Sequence, residues 1–185
     1  RLTTQVTLPA SIAGLAINDL LLSGETTFSI RASRDDAQGH ATVLPDLVTC
    51  PDCLADIRDP GNRRYGYPFA TCTRCGPRYT IIESIPYDRA RTTMRHFPMC
   101  PACRAEYDDP ASRRFHAETN CCPACGPRLS LTDVHGNPLE TDPTAALDQA
   151  AAAIAAGRIV AVLGLGGFQL IVDAGNDTAV AELRA

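Results

Sequence analysis

At 185 residues the chain has room for one ordinary domain or for two or three small ones. Its 17 basic and 21 acidic residues leave a net charge of −4, which excludes both a global basic field for nucleic acid and an acidic tail. All 17 basic residues are arginine, so a site that needs a lysine ammonium for phosphate is not complete within these residues.

The first residue is Arg1 rather than methionine, which reads as a piece of a longer polypeptide. Pro9, Asn18 and Asp19 interrupt the stretch where a signal peptide needs an unbroken apolar core. Residues 1–45 read as the end of an α/β unit. Within them, residues 26–32 alternate apolar and polar side chains around Phe28 and Ile30, the pattern of a half-buried strand, and residues 33–42 read as a polar loop.

Cysteines dominate the next segment. Cys50 and Cys53 form a C-x2-C pair, Cys72 and Cys75 a second, with 18 residues between them. After a gap of 24 residues, Cys100, Cys103, Cys122 and Cys125 repeat the arrangement with the same spacer, each 50 positions after its counterpart. Pro51, Ala55, Asp59-Pro60, Arg63-Arg64, Tyr65 and Gly76-Pro77-Arg78 return as Pro101, Ala105, Asp109-Pro110, Arg113-Arg114, Phe115 and Gly126-Pro127-Arg128. A fixed period of this kind marks a duplicated supersecondary unit.

The spacing has a chemical reason. A C-x2-C turn lets two thiolates converge on one ion, and two such turns complete a tetrahedral shell. Each repeat is expected to close its own site, as a duplicated unit that folded alone would. Gly76 and Gly126, after the closing pairs, are expected to take a positive φ. Four thiolates leave no open position for water, so the two sites read as structural zinc centres. Iron uses the same ligands, and spacing alone does not separate the two metals. Disulfides fit poorly with nine cysteines and no export signal. A thioredoxin-like redox pair fits poorly with a duplicated frame. Cys121 and the histidines, His96 and His116 among them, read as non-ligands because eight thiolates already fill two sites.

Residues 50–128 hold few large apolar side chains, chiefly Leu54, Ile57, Tyr65, Phe69, Ile81, Ile85, Phe97, Tyr107 and Phe115. So small a core needs a staple, and a metal supplies one. The segment carries 12 arginines and nine acidic residues. The arginine pairs beside Tyr65 and Phe115 read in two ways: contacts to RNA or phosphate, or hydrogen bonds to zinc thiolates and neighbouring carboxylates.

Downstream, His135-Gly136-Asn137-Pro138 and Asp142-Pro143 mark a turn-rich boundary. Residues 144–156 are expected to form a helix with Leu147, Ala150, Ala151 and Ile154 on one face and Gly157 at its C-terminus. Residues 158–163 read as a buried strand, Gly164-Leu165-Gly166-Gly167 as a tight turn, residues 168–172 as a second strand, and a helix is expected from about Asp177. The apolar run 159–172 is about 14 residues and contains three glycines, short of the roughly 20 needed to span a bilayer. The chain is expected to be cytoplasmic, with reduced thiols and no membrane partner.

Taken in order, these segments resemble the HypF family of nickel–iron hydrogenase maturation carbamoyltransferases. The resemblance rests on the duplicated cysteine frame, P-D-L-V-T-C (45–50), Y-D-R-A-R-T-T-M (87–94), R-R-F-H-A-E (113–118) and C-P-A-C-G-P-R (122–128). It implies an α+β, multi-part chain: the C-terminal end of an acylphosphatase-like domain (1–45), a tandem zinc module (46–132) and the N-terminal part of a YrdC-like domain (133–185). It further implies a parent enzyme that consumes carbamoyl phosphate and ATP and carbamoylates the C-terminal cysteine of a HypE-like partner, for cyanide-ligand synthesis. In the YrdC-like part, Gly164, Gly166 and Gly167 would be the nucleotide contacts. There the chain departs from the family, which has lysine before the glycine turn and histidine after it, where this chain has Leu163 and Gln169. The fragment alone is therefore expected to be inactive. The competing reading is a non-enzymatic zinc-ribbon adaptor that binds RNA, weakly, or protein.

Overall fold

A computed structural model describes residues 45–185 continuously, together with positions 12, 15–21, 24 and 26–27. The chain divides into two units, Arg1–His40 and Ala41–Ala185. In the first, residues 15–21 have no regular secondary structure, and Leu20 and Leu21 are solvent-exposed. The strand expected over 26–32 and the loop over 33–42 lie outside the described residues, apart from Thr26 and Thr27.

The second unit opens with helix α1 (Pro51–Arg58) and repeats it as α2 (Pro101–Asp108). Each begins with proline at its first turn, where a missing N–H leaves no bond unmade. Between them the chain runs through short 3₁₀ turns at Thr73–Cys75, Tyr79–Ile81, Arg89–Arg91 and Thr93–His96. A small hairpin of β1 (Leu131–Thr132) and β2 (Pro138–Glu140) follows, then helix α3 (Pro143–Ala155). Next come an antiparallel hairpin of β3 (Val160–Gly164) and β4 (Gly167–Ile171), in register from Val160–Ile171 to Gly164–Gly167, and helix α4 (Asp177–Arg184).

The core of the finger region departs from its expected membership. Tyr67, Ala70, Met94 and Cys121 are buried, with Ile57, Ile81, Phe97 and Cys125 packed against them. Tyr65, Phe69 and Ile85 face solvent instead, Tyr65 at 56% exposure. Tyr65 and Tyr67 lie two residues apart in irregular backbone, where no periodicity indicates which ring turns inward.

The α3 boundaries agree with the sequence to within a residue at each end. Asp142 caps it, its Oδ1 accepting from the amides of Thr144 (3.1 Å) and Ala145 (2.9 Å), and Gly157 follows at φ 77°. The face is rotated, however. Ala146, Ala150, Ala153 and Ile154 turn inward, whereas Leu147 and Ala151 are exposed. The β3–β4 hairpin is a second correction. Leu163, Leu165, Phe168 and Leu170 are all more than half exposed, so β3 is not a buried strand. A two-stranded ribbon has two faces, and among the described residues nothing covers both.

Candidate metal centre

Cys50 is the residue before α1, Cys53 lies in its first turn, Cys72 precedes the turn at 73–75 and Cys75 ends it. This folding brings all four sulfurs within 4.8 Å of one another. Cys100, Cys103, Cys122 and Cys125 form the same cluster around α2 and a turn closed by the Cys125 amide to the Cys122 carbonyl at 3.0 Å. The groups therefore form within repeats, each repeat closing its own cluster as expected.

The donor set fits a tetrahedral ion. Sulfurs about 2.3 Å from zinc stand about 3.8 Å apart at the edges of a regular tetrahedron. The observed separations are 3.6 Å for Cys50–Cys72, 3.8 Å for Cys100–Cys122 and Cys122–Cys125, and 3.6 Å for Cys103–Cys125. A disulfide needs about 2.05 Å, and all nine thiols are free. Without an ion the sulfurs of a cluster hold their protons unevenly. The hydrogen bond from the Cys53 thiol lowers Cys72 and raises Cys53, and the backbone amide of Cys103 lowers Cys100 while burial raises Cys103.

The closing glycines serve different ends. Gly76 takes φ 74°, as expected. Gly126 does not adopt a positive φ; a Cβ there would instead meet the Tyr67 hydroxyl and lie 2.8 Å from the Cys121 sulfur. Its requirement is close approach to the core.

The arginine pairs lie between the two sites and act crosswise. Arg63 donates to the Cys103 sulfur at 3.2 Å, and Arg113 to the Cys53 sulfur at 3.0 Å. Arg64, 1% exposed, makes a two-pronged contact with Glu106 (3.0 and 2.6 Å) and donates to the Cys121 carbonyl at 2.8 Å. Arg114, 5% exposed, donates to Asp56 at 2.5 Å and to the Thr71 carbonyl at 3.1 Å. Arg63 and Arg113 pair with the same two carboxylates. Burial would raise the Glu106 carboxyl, but the Arg64 and Arg63 hydrogen bonds and charges outweigh it and hold it at about 2. Asp56 is lowered likewise, with the Arg114 hydrogen bond and the Arg113 and Arg114 charges outweighing its burial.

Of the two readings of these arginines, this geometry supports bonding to thiolates and carboxylates: all four side chains are engaged inside the protein. Neither repeat is self-contained, contrary to the picture of a unit that folds alone. Asp56 and Glu106 did not stand out in the sequence, although they are two carboxylates at the same 50-residue offset as the cysteines.

The remaining motif residues build the scaffold. Arg89 donates to the carbonyls of Glu118 (2.6 Å), Asn120 (3.0 Å) and Phe97 (2.7 Å), tying the connector to the second repeat. Thr92 is buried and caps the turn at 93–96, which places Met94 in the core. His116 belongs to neither sulfur cluster. It holds φ 48° where the first repeat has Gly66 at φ 66°, and the two amides make matching bonds, to Tyr107 and to Ile57. Cys121 is a core residue near the Tyr67 hydroxyl (3.5 Å). Gly164, Gly166 and Gly167 form the exposed end of the β3–β4 hairpin. Leu165 and Gly166 border an open groove of about 500 Å³ whose other walls include Tyr79, Glu83 and Ile85, with no basic residue lining it. Among the described residues no helix is long and apolar enough to cross a membrane.

Comparison with known proteins adds the wider frame. The family model described as the HypF finger matches residues 49–82 and again 99–132. The carbamoyltransferase HypF of Synechocystis sp. is 54% identical over 184 residues, which is 100% of this chain and 24% of that protein. Carbamoyltransferase HypF2 of Cupriavidus necator is 57% identical over 157 residues, 84% of this chain and 19% of that one. The crystal structure of full-length HypF in its phosphate- and nucleotide-bound form has a TM-score of 0.77 and 44% identity, covering 90% of this chain and 21% of that one. The chain thus spans between about a fifth and a quarter of the length of these relatives.

Proposed function

Because this chain belongs to the HypF family, we propose that it is the finger-bearing segment of a carbamoyltransferase and that each four-cysteine cluster holds one structural zinc ion. The observation that carries this reading is the set of sulfur separations, 3.6 to 3.8 Å, which suits a closed tetrahedral shell. Bound zinc supplies cross-linking of the fold; four thiolates leave no position for a reacting water.

The parent protein, on this reading, uses ATP and carbamoyl phosphate to carbamoylate the C-terminal cysteine of a HypE-like maturation protein in the cytoplasm. Residues 46–132 are then the scaffold between the end of an acylphosphatase-like domain (1–45) and the beginning of a YrdC-like domain (133–185). The glycine turn, Gly164, Gly166 and Gly167, is the candidate nucleotide contact. Leu163 and Gln169 deprive it of a cation and a polar ring, and a buried triphosphate needs such partners to offset its desolvation. This segment alone therefore does no chemistry. The alternative of an RNA-binding adaptor loses its motivation, since Arg63, Arg64, Arg113 and Arg114 are occupied inside the module.

Elemental analysis tests the reading. Metal-replete protein should carry about two zinc ions per chain, and one or none would sink it. Calorimetry with ATP should give no binding near millimolar concentrations; saturable micromolar binding would mean that the pocket is built from residues assigned here to structure.

A further inference from the structure

The two sulfur clusters share their surroundings in an unusual way. The first repeat's arginine pair reaches three features of the second site: the Cys103 sulfur, Glu106 on the ligand-bearing helix α2, and the carbonyl of Cys121, the residue before Cys122. The second repeat's pair reaches the same three features of the first site: the Cys53 sulfur, Asp56 on α1, and the carbonyl of Thr71, the residue before Cys72. Thr73, inside the closing turn of the first site, adds bonds from its amide (3.1 Å) and hydroxyl (3.0 Å) to the Arg113 carbonyl.

Each arginine pair lies on the loop between the second and third ligands of its own repeat. Closing one site on its ion fixes that loop at both ends and so places the pair. The pair then offers positive charge and N–H donors to thiolates that otherwise repel one another. Each site, once closed, assembles the surroundings of the other, and linkage makes that effect reciprocal.

On the zinc reading above, we propose that the two sites load cooperatively, and that Arg63 and Arg113 are the positioning residues that couple them. Arg64 and Arg114 hold the loops in place through the buried carboxylate contacts, with Arg64 also 3.6 Å from the Cys103 sulfur, while Arg63 and Arg113, each about a third exposed, make the shorter sulfur contacts, 3.2 and 3.0 Å.

Native mass spectrometry of reduced, metal-free chain titrated with zinc alone is the test. Independent equal sites give about half of the molecules in the one-zinc form at half loading, whereas a coupling factor of about 10 lowers that form to about a quarter. The expected result is a quarter or less, with two zinc ions at saturation. In Arg63→Met/Arg113→Met the one-zinc form should rise to about half while saturation still reaches two. Arg63→Lys/Arg113→Lys, which keeps one donor for each sulfur, should fall between them and stands in if the Met pair does not fold. Two zinc ions bound with about half in the one-zinc form of the unaltered chain would overturn the coupling and leave the zinc reading intact. An unchanged quarter in the Met or Lys pair would overturn the role given to the arginines. Failure to bind two zinc ions at saturation would overturn the zinc reading and the coupling with it.

Discussion

Residues 50–128 and residues 143–184 solve the problem of folding in opposite ways. The first segment buries cysteines, Arg64, Arg114 and Asn120 and leaves Tyr65 in solvent. The second is rich in leucine, isoleucine and alanine, yet it leaves Leu163, Leu165, Phe168 and Leu170 exposed. Hydrophobic residues therefore do not mark where this chain is held together. In the finger segment the order comes from converging sulfurs and from buried charges that satisfy one another, and the apolar core is an addition to both.

Metal removal should separate the two segments most sharply. Zinc binding supplies on the order of 10 kcal/mol in small modules of this kind. Chelation should abolish hydrogen-exchange protection across 50–128 while the amides of α3 change little. Equal loss in both segments would show that they fold as one.

Next in size is the buried ion pair. Arg64→Met removes one counter-charge from Glu106, which keeps Arg63, and leaves the Cys121 carbonyl without its Arg64 donor, a loss of about 1–3 kcal/mol. Leu163→Ser in the exposed hairpin should change stability by less than about 0.5 kcal/mol, as surface changes do. Chemical denaturation of the zinc-loaded variants measures both, and similar values would erase the contrast.

Acid acts on the same pair. Glu106 is held at about 2 in the folded state against an ordinary 4.5, so its contribution is present above pH 4.5 and is lost as pH falls toward 2. Glu106→Gln should be less stable than the unaltered chain at pH 7. That gap should close across this window, because the variant has no such contribution to lose. A gap constant with pH would mean that the charge of Glu106 is not what matters.

Glycines give a second version of the comparison. Gly126→Ala forces a methyl against Tyr67 and Cys121 and should cost about 1–3 kcal/mol, the usual range for overpacking. Gly166→Ala, with nothing within 4 Å of a new Cβ, should be close to neutral in thermal melts. Apart from the near-neutral controls at Leu163 and Gly166, the smallest effect is that of Asp142→Ala, which removes the α3 cap and should cost about 1 kcal/mol, read as fraying of residues 143–146 in hydrogen exchange.

What the sequence revealed follows the reach of each interaction. The eight cysteines were legible because a metal turn needs only three or four residues to declare itself, and the 18-residue spacer was seen twice. The ends of α3 were legible for the same reason, through Asp142 and Gly157. Arg64 and Arg114 were ambiguous because their carboxylates lie 42 and 58 residues away. The repeat offset could have paired Asp56 with Glu106 and pointed to them. The burial of β3 was misread because a run of Val160, Val162 and Leu163 states what could be covered, and coverage depends on partners that lie far along the chain.

The crosswise contacts carry a consequence for ancestry. Arg64 meets Glu106 and Arg114 meets Asp56, so residue i of one repeat touches residue j of the other and the reverse holds as well. That reciprocity is the rule of an isologous interface between two copies related by a twofold axis. Here both copies share one chain, joined by the 24-residue connector. Duplication of a lone folded unit gives two neighbours free to drift apart. Fusion of a homodimer gives two halves that already depended on one another, each with a charged face fit only for its sister.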